Sequence, residues 1–225
     1  MPSPCIIALD LPNATEALEL VDALGELQNF YKVGLELYTA AGVEMVRELR
    51  RRGRDVFLDL KFYDIPETVK RATSVAAECG ARFLTVHASA KVIRAAKEGA
   101  GDALEILAVT VLTAFDDSDL ADLGHTRTMN DLVAHVAGKA RDAGADGLVC
   151  SPLEITRLRQ LLGSDIKLVT PGVRSAGAAQ GDQKRVATPA QAMKDGANYL
   201  VIGRQVTRAS DPKAELTKIL AEINQ

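Results

Sequence analysis

The sequence predicts an α/β protein, a single (β/α)8 barrel that spans residues 1–225. Eight short apolar stretches alternate with helical patterns along the whole chain, and no Pro/Gly-rich linker divides them. The length also suits such a barrel, which commonly takes about 250 residues. An open doubly wound sheet is the alternative, and it would need a glycine-rich turn after the first strand. Residues 10–13 (Asp-Leu-Pro-Asn) stand there instead, which favours the barrel.

The strands are predicted from apolar and β-branched runs bounded by turn signals. They cover residues 5–10, 31–36, 56–62, 82–89, 104–113, 147–151, 167–173 and 199–204. Asn13 can cap the first helix, with Glu16 three residues on as in a capping box. Further helices are predicted up to residue 52, over 67–79 and 129–143, from Pro189 after a Thr188 cap, and from about Pro212. Residues 114–128 are predicted to be irregular.

The third strand carries the most informative pattern. Side chains two residues apart share a face of a strand, so Phe57, Asp59 and Lys61 point one way. The opposite face, from Val56 to Phe62, is apolar throughout and is expected to pack under the helices. The strand therefore brings a carboxylate and an ammonium group towards its C-terminal end. Asp64 follows in the turn, before Pro66 opens a helix.

The second strand adds another cation. Val33 and Leu35 are expected to face the helices, so Lys32 between them faces inward. A lone inward lysine is costly unless it is paired. Active sites of (β/α)8 barrels lie at the C-terminal ends of the strands, where an array of alternating charges with Asp59 and Lys61 is plausible. The candidates at these ends are Asp10, Lys32, Asp59, Lys61, Asp64, Thr113, Arg174, Gly203 and Arg204.

The ends of the last two strands predict a phosphate site. Gly203 permits close approach of the backbone, and the guanidinium of Arg204 suits phosphate oxygens. Arg174 follows the seventh strand, and the Gly/Ala-rich segment that ends in Gln183 is interpreted as a lid. His87 is interpreted as a structural residue, and no role is assigned to His125 or His135. No spacing indicates a metal site or a serine nucleophile.

Composition limits the partners. The net charge of −3 gives no general attraction to nucleic acid or to an anionic membrane. No signal peptide or membrane span is recognised. Cys5, Cys79 and Cys150 are far apart and fit no metal-ligand spacing, so they are interpreted as buried free thiols of a cytoplasmic protein.

Four motifs resemble the orotidine 5′-phosphate decarboxylase family. They are Asp59-Leu-Lys61-Phe-Tyr-Asp64-Ile-Pro66, Thr170-Pro-Gly-Val-Arg174, Gly181-Asp-Gln183-Lys-Arg185-Val and Leu200-Val-Ile-Gly203-Arg204. The similarity runs from Ile6 to about Pro212, with the motifs in family order. The resemblance implies a cofactor-free decarboxylation of orotidine 5′-monophosphate to UMP, in a homodimer whose subunits complete each other's sites. Two departures are Tyr63, where many members have His, and Glu67, where Asn is frequent.

The resemblance also implies roles for individual residues. Lys61 would donate a proton to the carbon that loses CO2, with Asp59 against the departing carboxylate and Lys32 beside it. Asp64, and Thr68 from helix three, would reach the partner subunit's site. The remaining implied contacts are Asp10 and Lys32 to the ribose, Thr113 by the pyrimidine, Gln183 between base and phosphate, and Arg174, Gly203 and Arg204 at the phosphate.

Two other functions are weighed. A metal-dependent sugar-phosphate decarboxylase or aldolase of the same superfamily would use Asp59 and a neighbouring carboxylate as magnesium ligands, but the inward Lys32 and the Gln183 lid argue against it. A non-catalytic UMP-binding or scaffolding protein would normally have lost a member of the charge array. Lys32, Asp59, Lys61 and Asp64 are all present.

Overall fold

A computed structural model describes residues 3–176 and 187–224 of the chain. Its strands are β1 (Cys5–Ala8), β2 (Phe30–Gly34), β3 (Asp55–Phe62), β4 (Phe83–His87), β5 (Glu105–Val109), β6 (Gly147–Val149), β7 (Lys167–Pro171) and β8 (Tyr199–Ile202). Its helices are α1 (Ala14–Leu24), α2 (Leu35–Arg51), α3 (Pro66–Glu78), α4 (Ala90–Ala100), α5 (Asp117–Asp122), α6 (Met129–Asp142), α7 (Ile155–Leu162), α8 (Pro189–Lys194), α9 (Arg204–Thr207) and α10 (Pro212–Ile223).

The strands are parallel and close into a barrel in chain order. β1 pairs with β2 on one side and with β8 on the other, so the sheet has no free edge. The predicted (β/α)8 barrel is therefore confirmed. Since all strands run the same way, their C-terminal ends meet at one mouth of the barrel.

The alternation of side chains along the strands builds two apolar layers. Phe57 lies inside the barrel with residues such as Ile6, Leu107 and Val201. Val56 and its neighbours on the other face of β3 pack beneath the helices, as the sequence pattern predicts. The layers together exclude water from both faces of the sheet, which parallel strands require.

Aromatic rings close the N-terminal end of the barrel. Phe30, Phe83 and Tyr199 lie with ring centroids 5.1 to 5.8 Å apart. The guanidinium of Arg82 lies 5.1 Å from the Phe30 centroid and donates hydrogen bonds to Asp55 and the Tyr199 hydroxyl. These rings fill the barrel interior at this end, whereas the charged side chains predicted for the site lie at the opposite mouth.

The predicted helix caps are confirmed, but the prediction for one loop segment is not. Asn13 caps α1 by accepting a hydrogen bond from the Glu16 N–H, and Thr188 caps α8. The prediction of irregular structure over 114–128 is wrong at α5. There Asp116 accepts hydrogen bonds from two backbone N–H groups, and the Asp119 carboxylate accepts one in return, so a polar segment with a good cap forms a helix. The three cysteines are buried free thiols, as predicted.

The observed ends of the strands differ more from the predicted ends. β2 stops at Gly34, and Leu35 starts α2 with 61% of its surface exposed, so the expectation that Leu35 faces the helices is wrong. β5 ends at Val109, which leaves Thr113 in the loop beyond the strand. A strand ends where pairing with its neighbours ends, and an apolar run cannot mark that point. Among the described residues, no helix is long and apolar enough to cross a bilayer.

Candidate active site

A buried carboxylate lies between two ammonium groups at the open mouth of the barrel. Asp59 Oδ1 is 2.8 Å from Lys61 Nζ, and Asp59 Oδ2 is 3.5 Å from Lys32 Nζ. Lys32 also donates to Asp10 Oδ1 at 2.9 Å. The side chains of Lys32 and Asp59 are 10% and 14% exposed, while that of Asp10 is 51% exposed. The result is a row of alternating charge, Asp10, Lys32, Asp59 and Lys61, whose two middle members are the most buried.

The array keeps its inner members ionised. Burial by itself raises the pKa of Asp59, but the charges of Lys32 and Lys61 and hydrogen bonds from Lys61 and Thr85 outweigh it, so the pKa is lowered. Burial likewise acts to lower the pKa of Lys32, but Asp59 and Asp10 reverse this and raise it. The Asp59 carboxylate and the Lys32 ammonium are therefore both ionised at neutral pH.

The backbone is unusual where β3 delivers Lys61. Lys61 has φ +52°, the only positive φ among the non-glycine residues that the structure describes. Such a conformation costs roughly 1–2 kcal/mol for a residue with a Cβ. The pairing of β3 with β4 shifts register here, from Leu58 opposite Leu84 to Phe62 opposite Val86. The strand thus bulges between these pairs, where Asp59 and Lys61 lie, as bulges near active sites often do.

Gly34 leaves the space that the Lys32 ammonium group occupies. A Cβ added to Gly34 would lie 2.7 Å from Lys32 Nζ and 3.0 Å from Asp10 Oδ1. Both distances are shorter than ordinary van der Waals contact, so a larger residue would displace the ion pair. Gly34 has φ −96°, which any residue can adopt. The reason for a glycine here is therefore space, not backbone conformation.

Two arginines lie on the opposite side of the mouth. Arg174 follows β7, and Arg204 begins α9 directly after Gly203. All three line the same pocket as the charge array. Burial and then the neighbouring charge of Arg204 lower the pKa of Arg174. Two guanidinium groups that repel each other form a place where an anion with two charges would be stabilised.

The pocket between these groups has an apolar wall and encloses about 240 Å³. Its lining residues are Ala8, Asp10, Lys32, Asp59, Lys61, Val109, Val111, Leu112, Thr113, Val149, Pro171, Gly172, Arg174, Val201, Gly203 and Arg204. The charge array, the two arginines and several valine side chains thus share one pocket wall. A small anionic ligand with both polar and apolar parts matches this lining.

Two predicted site residues lie apart from the pocket, and a third lies outside the described residues. Asp64 is exposed, and its Oδ1 accepts a hydrogen bond from the Ile65 N–H. Thr68 is exposed on α3, in a shallow groove beside that helix. Gln183, with the lid predicted around it, lies outside the described residues.

Sequence reasoning missed Thr85, whose hydroxyl contacts both Asp59 and the Lys61 backbone. The sequence could have indicated it, because Thr85 is two residues after the inward Phe83 on β4 and so points to the same face. His87 lies at the end of the same strand, and its ring meets that of Tyr63 edge-on at 5.4 Å between centroids. Burial and then the charge of Lys61 lower the pKa of His87, so the imidazole is neutral at neutral pH.

The described ranges contain no group of three His, Cys, Asp or Glu side chains arranged to hold a metal ion. The oxygens of Asp59 are instead occupied by Lys32, Lys61 and Thr85. The carboxylate that a metal ion would need here is thus already paired with two ammonium groups.

Comparisons with family models, curated relatives and solved structures all match the same family. The model of the orotidine 5′-phosphate decarboxylase / HUMPS family matches residues 3–219. Orotidine 5′-phosphate decarboxylases of Bradyrhizobium sp. and Rhodopseudomonas palustris (strain BisB5) are 49% and 50% identical to this chain, over 98% of it and over 93% and 94% of their own lengths. The crystal structure of orotidine 5′-phosphate decarboxylase from Lactobacillus acidophilus matches with a TM-score of 0.88 and 38% identity, over 99% of both chains.

Proposed function

This chain belongs to the orotidine 5′-phosphate decarboxylase / HUMPS family, and from that membership we infer that it is a carboxy-lyase that converts orotidine 5′-monophosphate to UMP and CO2. This reaction is the last step of de novo pyrimidine nucleotide synthesis. The observation that carries the inference is the buried Asp59 between Lys32 and Lys61, in a pocket that two arginines also line.

The reaction breaks the bond between a ring carbon and its carboxylate. CO2 leaves without the bonding electrons, and the pair stays on the ring carbon as a carbanion. In the proposed mechanism the Lys61 ammonium gives a proton to that carbon, which forms the C–H bond of UMP, and Lys61 then regains a proton from solvent. A cation fixed at this carbon stabilises charge that develops in the transition state.

Asp59 has two effects in this proposal. Its charge holds the Lys61 ammonium in place, through the 2.8 Å contact between Oδ1 and Nζ. It also faces the substrate carboxylate, and repulsion between the two anions is relieved as CO2 departs. Lys32 keeps Asp59 ionised from the other side.

The interaction free energy of a single charge pair is too small to account for catalysis, so an array is needed. Two unit charges about 4 Å apart contribute roughly 4 kcal/mol at an effective dielectric of about 20. That free energy corresponds to about three decades in rate, which is below the larger enzymatic accelerations. The remaining barrier reduction has to come from the whole prearranged array and from phosphate binding energy.

We assign the substrate contacts accordingly. Arg174, Arg204 and the Gly203 backbone would bind the phosphate, and their common place on the pocket wall supports this. Asp10 and Lys32 would bind ribose hydroxyls, and Thr113 would lie beside the pyrimidine. Gln183 would bridge the base and the phosphate from the lid. We propose no metal and no cofactor.

We further propose a homodimer in which Asp64 and Thr68 complete the partner subunit's site. Both residues are exposed and stand apart from the pocket of their own chain, and the adjacent Tyr63 and Ile65 are each 70% exposed. Large apolar side chains at a surface favour burial against another protein. We propose that residues 1–225 form one catalytic domain, and that the protein is cytoplasmic, where its free thiols would stay reduced.

The metal-dependent alternative is less well supported. It would need Asp59 as a metal ligand, but the carboxylate already neutralises two ammonium groups and accepts a hydroxyl hydrogen bond. A cation brought to it would be repelled by Lys32 and Lys61.

One assay tests the proposal. Purified protein is mixed with orotidine 5′-monophosphate in the presence of a metal chelator, and the loss of substrate ultraviolet absorbance is followed together with CO2 release. We expect turnover at the same rate with and without chelator. The absence of turnover, or its abolition by chelator, would contradict the proposal.

A further inference from the structure

Thr85 occupies a position where one hydroxyl connects the main chain and the side chains of the charge array. It lies on β4, inside the barrel, and is completely buried. Thr85 Oγ1 accepts a hydrogen bond from the Lys61 N–H at 2.9 Å and donates one to Asp59 Oδ1 at 2.9 Å. Thr85 is not part of the pocket wall, so it acts behind the charged groups.

The direction of these hydrogen bonds is fixed by chemistry. A backbone N–H can only donate, so the threonine oxygen must accept from Lys61. An ionised carboxylate can only accept, so the single hydroxyl proton must point to Asp59. Lys61 Nζ donates to the same oxygen of Asp59 at 2.8 Å. Thr85, Asp59 and Lys61 therefore form a closed ring of hydrogen bonds that holds Lys61 at both its backbone and its ammonium group.

The bulge in β3 makes this ring necessary. Four residue steps separate Leu58 from Phe62, while their partners on β4 are two steps apart. The regular ladder is interrupted between these pairs, so the Lys61 N–H is satisfied by the Thr85 side chain. The same hydrogen bond holds Lys61 at its positive φ, which a lysine rarely adopts.

Threonine suits this task in a strand. Its β-branched side chain restricts rotation about χ1, so the hydroxyl direction is set by the backbone of β4. Phe83, two residues earlier, packs in the interior layer and fixes that strand from inside. The hydroxyl is thus held in a fixed position, where it accepts the hydrogen bond from the bulged segment of β3.

We propose that Thr85 is a positioning residue for decarboxylation, which sets the Lys61 ammonium and the Asp59 carboxylate in their reactive arrangement without touching the substrate. The proposal rests on the function inferred above. Loss of the hydroxyl would free the bulge and move both charged groups relative to the ring carbon. Small displacements of catalytic groups reduce rate strongly and affect substrate binding much less.

The test uses two pairs of variants that differ in one hydroxyl group. Wild type against Thr85→Val exchanges the hydroxyl for a methyl group at similar volume. Thr85→Ser against Thr85→Ala makes the comparison without the threonine methyl. In each pair we expect kcat to be about 10–100-fold lower without the hydroxyl, with KM changed by less than about threefold. If Thr85→Val does not fold, the Ser/Ala pair carries the test.

A pH profile provides a readout that a purely structural role would not move. The Thr85 hydrogen bond helps to hold the Asp59 carboxylate ionised. Without it the pKa of Asp59 rises, so the loss of kcat/KM on the acid side begins at a higher pH in Thr85→Val than in wild type. Thr85→Ser keeps the hydroxyl and is expected to keep the wild-type profile.

Thr73 supplies a matched control. It is also a completely buried threonine, on α3, but its hydroxyl has no hydrogen-bond partner among the described residues. Thr73→Val is expected to keep wild-type kcat. Equal kcat within each hydroxyl pair at position 85, or an effect on KM alone, would overturn the positioning role. Because substrate turnover by the wild type is measured first, a failure of the proposed function is recognised separately.

Discussion

Lys61 Nζ lies 2.8 Å from Asp59 Oδ1, so two residues of one strand form a direct ion pair at the mouth of the barrel. Regular pleating would by itself place their side chains on one face, but the strand is not regular at this point. The positive φ of Lys61 and the shifted register of β3 accompany this contact. The ion pair is therefore a property of the bulge as much as of the sequence spacing.

Gly34→Ala tests the space needed by the array. The new Cβ would lie 2.7 Å from Lys32 Nζ, so Lys32 must move away from Asp10 and Asp59. We expect at least a tenfold lower kcat/KM in a folded protein, measured by steady-state kinetics. Gly138→Ala is the control, since no atom lies within 4 Å of the added carbon. It should keep activity and raise the free energy of unfolding by up to about 1 kcal/mol. Wild-type kinetics for Gly34→Ala would contradict this role of the glycine.

Asp59→Asn tests the electrostatics through the pH dependence of stability. The pKa of Asp59 lies below its ordinary value of 3.8 in the folded protein. Its ionised form therefore stabilises the fold at pH values above about 3.8, and this contribution is lost as pH falls through the lowered pKa. Removal of one partner of a buried ion pair costs about 3 kcal/mol at neutral pH.

The measurement is urea denaturation of wild type and Asp59→Asn at a series of pH values. The difference in free energy of unfolding should be constant between about pH 5 and 8 and shrink below about pH 4. At the alkaline end, the pKa of Lys32 is raised above 10.5 in the folded protein, so the stabilisation of the fold by its ammonium group is complete below pH 10.5. A difference that stayed unchanged down to pH 3 would show that Asp59 is not held ionised by its neighbours.

Much of the fold follows from the sequence because parallel strands buried on both faces give clear apolar runs. The inward placement of Lys32 and Asp59 followed from alternation alone. Strand ends did not follow, as at Leu35, because they depend on which neighbouring residues are paired. The bulge at Lys61 also could not be predicted, since nothing local to a lysine favours a positive φ. It depends on Thr85, 24 positions away in the chain.

Arg204→Ala tests the phosphate assignment by comparison of two substrates. Orotidine lacks the phosphate group of orotidine 5′-monophosphate, so an arginine that binds only phosphate cannot contribute to its turnover. We expect at least a tenfold loss of kcat/KM for the nucleotide and less than a twofold change for the nucleoside. Arg141→Ala on α6, whose side chain is 49% exposed and paired with Asp142, is the control. Equal losses for both substrates would contradict the assignment.

Mixed dimers test the shared site. If Asp64 acts in the partner's site, Lys61→Ala and Asp64→Ala dimers are each inactive, but a mixed dimer has one intact site. Random exchange of subunits would restore about a quarter of wild-type activity. Lys61→Ala mixed with Asp59→Asn is the control, because both changes disable the site of their own chain and no intact site forms. Activity that stays absent in the first mixture, or appears in the second, would contradict the proposal.

Lys61→Ala tests the central claim most directly, with CO2 release from orotidine 5′-monophosphate as the measurement. The circular dichroism spectrum and the melting transition establish that the variant is folded, and Lys218→Ala, whose side chain is 76% exposed on α10, controls for the loss of a lysine. We predict no detectable CO2 from folded Lys61→Ala and wild-type rates from Lys218→Ala. Appreciable CO2 release by Lys61→Ala would contradict the assignment of Lys61 as the proton donor.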